Sequence, residues 1–144
     1  MADRTSSSIT IKAGKPEIMA VIADFAEYPE WAEGITAAEV VTTGDDGRAE
    51  QVRITLEAGP IKDTYVLAYD WDDDEAVHWH LAERGTMLTG MTGAYRLAEH
   101  GGETEVTYEL AVDVRVPMIG MVKRKAEKRI IDTALKGLKR RVEE

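Results

Sequence analysis

A strand pattern that runs directly into a long helical pattern at the C-terminus constrains the fold of this chain most. Residues 104–116 alternate between apolar and polar side chains, which is typical of a half-buried strand. After Pro117 an unbroken helical pattern runs from Met118 to the C-terminus and would span roughly 37 Å at 1.5 Å per residue. A helix this long needs a wide apolar surface, and a curved antiparallel sheet provides one. A sheet curved around a helix often encloses a cavity, so the pattern predicts a small-molecule ligand.

The length and composition indicate one globular domain over residues 1–144, with 44% hydrophobic residues. The chain has no cysteine, which excludes disulfides, a thiol nucleophile and a cysteine-ligated metal site. The first eight residues lack an apolar stretch, and no run of apolar residues is long enough to span a bilayer. We therefore expect neither a signal peptide nor a membrane span, and a cytoplasmic location.

The charge of the chain is divided unevenly along the sequence. The net charge of -9 argues against nucleic-acid binding. Residues 118–144 carry +5, whereas residues 1–117 carry -14. We interpret the basic segment as a solvated helix face docked on an acidic body. The alternative is a face that meets an anionic partner or membrane surface, but membrane contact is not expected. We expect a monomer or a homodimer.

The order of predicted elements is a strand, a helix, a short helical segment, six strands and the final helix. The first helix begins at Lys15-Pro16 and must end before Pro29, because Tyr28 is biased away from helix. A short segment over residues 30–35 carries Trp31. The six strands are predicted at residues 36–43, 48–58, 63–71, 77–81, 88–97 and 104–116. All links between these strands are short, which predicts an antiparallel meander.

Three local patterns resemble one family. Residues 16–31 contain the segment D-x-x-x-Y-P-x-W, residues 65–70 read as a central strand, and residues 93–97 with 103–108 form a G-x-Y-x-L and T-x-V-x-Y hairpin. Together they resemble the START-like (SRPBCC) superfamily, in its polyketide cyclase/dehydrase branch. The resemblance implies an α+β helix-grip fold, in which a curved antiparallel sheet of six to seven strands wraps around a long C-terminal helix. Members bind sterols, lipids, quinones or polyketides, and some cyclise aromatic rings.

Strand parity places a set of aromatic side chains on the inner face of the predicted sheet. Phenol groups on an otherwise apolar wall suit a hydrophobic ligand with one or two oxygen atoms. The alternative is that the same rings simply fill the core. Trp31 could sit at the cavity mouth or staple its segment against the sheet. The final helix has a stripe at 119, 122, 126, 130, 134 and 138, and the resemblance makes this helix a cavity wall. The predicted ligand-binding residues are Trp31, Tyr65, Tyr69, Trp79, Met91, Tyr95, Tyr108, Ala126 and Ile130.

The inner faces of the strands carry no group that is suited to acid–base catalysis near neutral pH. The resemblance implies an Arg and Tyr pair in the cyclases, but parity turns the nearest candidate, Arg53, outward. His78 and His80 share one outward strand face without an evident third ligand. The acidic run that starts at Asp70 lacks the Gly and Glu of a calcium loop, where it has Glu75 and Leu81. We therefore assign no catalytic residue and expect neither a metal nor a cofactor.

These observations favour non-covalent binding of a lipid-, quinone- or polyketide-like small molecule, by a carrier or sensor. The alternative is a cyclase or dehydrase that acts on an aromatic or poly-β-keto substrate. A third hypothesis is a protein-interaction module that uses the basic helix. A charged residue inside the cavity would favour the enzyme.

Overall fold

A curved antiparallel sheet of seven strands packs against the long C-terminal helix in the computed structural model, which describes residues 4–32, 34–58, 61–115 and 120–143. The helices are α1 (Lys15–Ala23), α2 (Tyr28–Trp31) and α3 (Gly120–Glu143), with a 3-10 turn at Phe25–Glu27. The strands are β1 (Thr5–Ile11), β2 (Ile35–Thr43), β3 (Ala49–Ala58), β4 (Ile61–Asp72), β5 (Ala76–Glu83), β6 (Leu88–His100) and β7 (Glu103–Val114).

The strand order in the sheet is β1-β7-β6-β5-β4-β3-β2, and every neighbouring pair is antiparallel. The first strand therefore lies beside the last one, and the six strands from β2 to β7 form the predicted meander. Inward positions are mainly apolar and alternate with outward ones, because successive side chains of a strand turn to opposite faces of the sheet. Val52, Ile54 and Leu56 on β3, for example, are all almost fully buried. The α+β helix-grip fold predicted from the sequence is confirmed.

The connection between α1 and β2 differs from the expectation in one respect. Helix α1 ends before Pro29, as predicted, but the prediction that Tyr28 avoids helical geometry is wrong. Tyr28 has φ -53° and ψ -43° and begins α2. Its hydroxyl donates a hydrogen bond to the carbonyl of Ile22, and its ring stacks on Phe25 with the centroids 4.7 Å apart. These side-chain contacts within the α1–α2 segment override the preference of a residue that precedes proline.

The final helix is confirmed over Gly120–Glu143, while the predicted strand end and helix start at residues 116–119 lie outside the described residues. Its buried stripe was predicted in a rotated position. The structure buries Ala134 and Leu138 as predicted, but it leaves Val122 45% exposed and adds Glu127, Ile131 and Leu135 to the buried face. A buried carboxylate within the stripe explains the error, because hydropathy assigns a glutamate to the solvent side. No helix in the described part of the chain is long and apolar enough to cross a membrane.

Candidate functional site

A cavity of about 50 Å³ lies between the inner face of the sheet and helices α2 and α3. Seven of the nine residues predicted to bind a ligand line it, which are Tyr65, Tyr69, Trp79, Met91, Tyr95, Tyr108 and Ile130. The strand-borne members were found because their inward parity follows directly from the alternation along β4 to β7. Whether they bind a ligand stays a prediction.

Trp31 and Ala126 do not line this cavity. The Trp31 ring is buried against Tyr28, with the ring centroids 4.8 Å apart. Ala126 is half-buried on the flank of α3, because the helix turns Glu127 towards the sheet instead. In the structure both side chains belong to the packing around the cavity.

Eight lining residues were not in the predicted set. Seven are aliphatic, and the eighth, Tyr28, begins α2, where the sequence indicated only a short connecting segment. They are Tyr28, Ala32, Ile35, Ile54, Leu56, Leu67, Leu110 and Ala134. The inward parity of the strand residues was visible in the sequence, but their lack of polar atoms offered no chemical reason to single them out. The part played by α2 depends on a chain reversal that has no local signal.

Four aromatic residues of the cavity form a connected cluster around Trp79. Its ring centroid lies 5.7 Å from that of Tyr69, 5.5 Å from Tyr95 and 5.6 Å from Tyr108. The Tyr95 and Tyr108 rings are direct cross-strand partners at 4.5 Å. These separations fall in the range in which aromatic pairs attract one another beyond simple burial. The cluster is therefore both part of the hydrophobic core and the wall of the cavity.

The phenol hydroxyls of the cavity differ in how they are satisfied. Tyr28 donates to the Ile22 carbonyl, whereas the hydroxyls of Tyr65, Tyr69, Tyr95 and Tyr108 have no hydrogen-bond partner among the described residues. In that part of the chain, Trp31 Nε1 is the one side-chain polar atom that is both fully enclosed and unpaired. The four phenol oxygens consequently keep access to open space, where a ligand atom can meet them.

Burial keeps these phenols neutral. It raises the pKa of Tyr28, Tyr69 and Tyr95 well above the usual value near 10, and neighbouring phenols raise the pKa of these three further. Burial likewise raises the pKa of Tyr65 and Tyr108. Each phenol therefore keeps its proton near neutral pH and can donate it in a hydrogen bond. None of the fifteen lining residues carries a charge, so the walls can donate hydrogen bonds but offer no counter-ion to a charged ligand.

The charged residues considered in the sequence lie away from the cavity. The Arg53 side chain is 46% exposed and pairs with Glu39 at 3.0 Å, which places it on the outer face as parity predicted. His78 and His80 lie on the β5 face opposite Trp79, and His80 is exposed. Within the described ranges no three potential metal ligands of the His, Cys, Asp and Glu types come together.

One buried charged residue was missed by the sequence analysis. Glu127 on α3 is 1% exposed and accepts hydrogen bonds from the Thr5 hydroxyl at 2.7 Å and the Val112 backbone N–H at 2.8 Å. β1 ends its pairing with β7 at Leu110, so the Val112 N–H has no partner on that strand. Glu127 does not line the cavity and instead fastens α3 to the sheet.

Comparisons with known proteins agree with this architecture. A family model described as polyketide cyclase / dehydrase and lipid transport matches residues 2–143. A START superfamily protein from Mycobacterium smegmatis is 23% identical and superposes with a TM-score of 0.90, covering 97% of both chains. An aromatase/cyclase from a Streptomyces species is 14% identical, with a TM-score of 0.81 over 99% of this chain and 94% of that one.

A protein from Thermus thermophilus is 20% identical, with a TM-score of 0.80 over 97% of both chains. At such identities the solved structures show a shared fold. No curated protein matches the sequence significantly.

Proposed function

Because the chain belongs to the polyketide cyclase/dehydrase and lipid transport family, and because phenols that no described residue pairs with line its cavity, we propose that it binds an uncharged hydrophobic small molecule as a carrier or sensor. The ligand is quinone-, polyketide- or lipid-like and carries oxygen atoms that accept hydrogen bonds. The observation that carries this proposal is that the phenols of Tyr65, Tyr69, Tyr95 and Tyr108 are neutral and have no hydrogen-bond partner among the described residues.

The polarity of the walls supports a neutral ligand over an anionic one. A carboxylate moved into this cavity would lose its hydration and meet no cationic side chain, which is costly. A ketone or quinone loses less on leaving water, and its oxygen can accept a hydrogen bond from a phenol. Each such bond contributes about 1 kcal/mol net.

Cyclisation or dehydration of a poly-β-keto or aromatic substrate is the second candidate function. It is favoured by the same four phenols, which could polarise substrate carbonyls by donating hydrogen bonds to them. The fifteen described lining residues include no carboxylate or histidine that could act as a general base, and this supports the carrier over the enzyme. Cytoplasmic location and a monomeric or dimeric state remain predictions from the sequence.

Three ligands that share one ring skeleton test the proposal: 2-acetylnaphthalene, 2-ethylnaphthalene and 2-naphthoate. The first carries a neutral hydrogen-bond acceptor, the second carries no acceptor, and the third is an anion. We expect calorimetric titration at pH 7 to rank the ketone above the hydrocarbon by about fivefold, for one hydrogen bond of roughly 1 kcal/mol. We expect no measurable binding of the carboxylate.

Two variants locate the binding. Tyr108→Phe removes a hydroxyl but keeps the ring, so it should weaken binding of the ketone and leave the affinity for the hydrocarbon unchanged. Tyr95→Phe tests the case in which Tyr95 donates the hydrogen bond to the ketone. Arg53→Ala, on the outer face, serves as the control and should leave all three affinities unchanged. Equal affinity for ketone and carboxylate, or binding lost in Arg53→Ala but retained in both tyrosine variants, would contradict the proposal.

A further inference from the structure

We propose that Trp79, seated on Gly93, determines the size of ligand that the cavity accepts. This inference rests on the proposed function and names the residue that limits it. The indole occupies the centre of the aromatic cluster and fills space that a larger ligand needs. A ligand with three fused rings needs the space that the indole fills.

The volume of the cavity is the first reason. About 50 Å³ is open between the side chains, whereas an engineered cavity that holds benzene measures roughly 150 Å³. Any ring-bearing ligand must therefore gain room from its surroundings. The room can come from the sheet, from α3 or from a side chain.

The backbone around the cavity is held in place. β5 and β6 pair in unbroken register from Ala76 to His80, so the sheet does not open there without losing hydrogen bonds. α3 is fastened to the sheet by Glu127 through the Val112 N–H, and by the Lys139 ammonium, which donates to the Thr10 carbonyl at 2.7 Å. Side-chain rotation is the remaining source of space.

Trp79 has the largest side chain among the described lining residues, so its movement would free the most space. Trp79 and Gly93 are direct cross-strand partners, and a Cβ atom at position 93 would overlap the indole at Cζ2, Cε2 and Nε1. The indole thus lies flat where a side chain of residue 93 would otherwise be. Unlike Trp71, whose Nε1 donates to the Ala49 carbonyl at 2.8 Å, Trp79 makes no hydrogen bond with a described residue. Tyr28, by contrast, is tied to Ile22.

A graded series of neutral ketones tests the assignment: acetophenone, 2-acetylnaphthalene and 9-acetylphenanthrene. Affinities are measured for the wild type and for Trp79→Leu, which shortens the side chain, and Gly93→Ala, whose methyl group displaces the indole into the cavity. Trp79→Phe replaces Trp79→Leu if the latter does not fold. Circular dichroism and thermal unfolding establish that each variant is folded, and Arg53→Ala is the control.

We expect the wild type to bind the three-ring ketone at least tenfold more weakly than the two-ring ketone. Trp79→Leu should remove or reverse this difference in affinity. Gly93→Ala should weaken the binding of both larger ketones at least tenfold. An unchanged size preference in Trp79→Leu, with the two-ring ketone still bound by the wild type, would overturn the assignment and leave the proposed function standing. A failure of every folded variant to bind any of the ketones would overturn both.

Discussion

Gly137 of α3 lies against the backbone carbonyl of Trp31 in α2, so closely that a Cβ atom at position 137 would overlap the carbonyl oxygen. The two helices therefore meet backbone to backbone at this point, beside the α2 residues that wall the cavity. The obstacle is a backbone atom, which cannot rotate away as the end of a side chain can. Position 137 thus sets how near α3 approaches α2.

Gly137→Ala should destabilise the protein. In an ordinary helix interior this change is worth up to about 1 kcal/mol of stability because alanine restricts the unfolded chain. Here the overlap forces α2 and α3 apart, and overpacking of this kind costs roughly 1–3 kcal/mol. Chemical denaturation measures the free energy of unfolding, with the exposed Lys136→Ala as a control that should stay near the wild-type value. An increase in stability for Gly137→Ala would contradict the close approach.

The fold was predictable because short-range patterns in the sequence indicate its strands and helices. Strands with one buried face alternate with a period of two, and short links leave antiparallel pairing as the simple topology. The same parity turned Tyr65, Tyr95 and Tyr108 inward and Arg53 outward. The START-like resemblance supplied the helix-grip arrangement that alternation alone does not specify.

The errors fall where tertiary contacts decide the outcome. The rotation of α3 about its axis depends on the bond between Glu127 and the Val112 N–H, a partner fifteen residues away that is available because β1 begins at Thr5, opposite Leu110. The helical geometry of Tyr28 depends on its bond to Ile22. The pairing of Trp79 with Gly93 depends on the β5–β6 register, which could not be predicted from the sequence. These three features follow from specific packing contacts, which hydropathy patterns do not report.

Asp63 holds the β5–β6 connection against the start of β4. Its carboxylate accepts backbone hydrogen bonds from Thr64, Thr86, Met87 and Leu88 at 2.7–2.9 Å. Burial alone would raise the pKa of Asp63, but these four bonds outweigh it and hold the pKa below its usual value near 3.8. The carboxylate form is therefore the one that stabilises this connection.

Asp63→Asn should lower the free energy of unfolding by about 2 kcal/mol at neutral pH, since bonds to a charged acceptor are replaced and the amide nitrogen cannot accept. Because the pKa is depressed in the folded state, the contribution is complete above about pH 4 and is lost as the pH falls further. Denaturation at pH 7 and pH 3 should show the gap to wild type shrinking at the lower pH. The exposed Asp70→Asn is the control, and a gap of constant size would count against the role of the charge.

The five tyrosines should resist ionisation until the protein unfolds. Burial raises the pKa of each one, so the folded state retains protons that the unfolded state releases near pH 10. The stability contributed by this difference is present below pH 10 and is lost as the pH rises above it. Phenolate absorbance should therefore appear together with the loss of circular dichroism, whereas protein in guanidinium should titrate near pH 10. Phenolate formation near pH 10 in folded protein would refute the burial of these groups.

Glu127→Gln should destabilise the domain by about 1 kcal/mol, because both carboxylate oxygens accept hydrogen bonds whereas only the oxygen of the amide can, so the bond with the Thr5 hydroxyl must reverse its direction. Thr5→Val removes one partner, so the double variant should lose less than the two single losses combined. Thermal and chemical unfolding of the four proteins in this cycle provide the test. The exposed Glu105→Gln should be neutral, and strict additivity would show that Thr5 and Glu127 act independently.

The exposed face of α3 carries Lys125, Arg129, Lys136 and Arg140, and none of these pairs with an acidic side chain of a described residue. A basic residue near an anionic bilayer contributes about 1 kcal/mol, which salt screens. The net charge of -9 on the whole chain opposes approach to such a surface. We therefore expect no co-sedimentation with phosphatidylserine-containing vesicles at physiological ionic strength, and none with neutral phosphatidylcholine vesicles. Association with the anionic vesicles alone, abolished by Lys125→Glu together with Lys136→Glu but retained in Lys12→Glu, would reverse this expectation and make the helix a docking face.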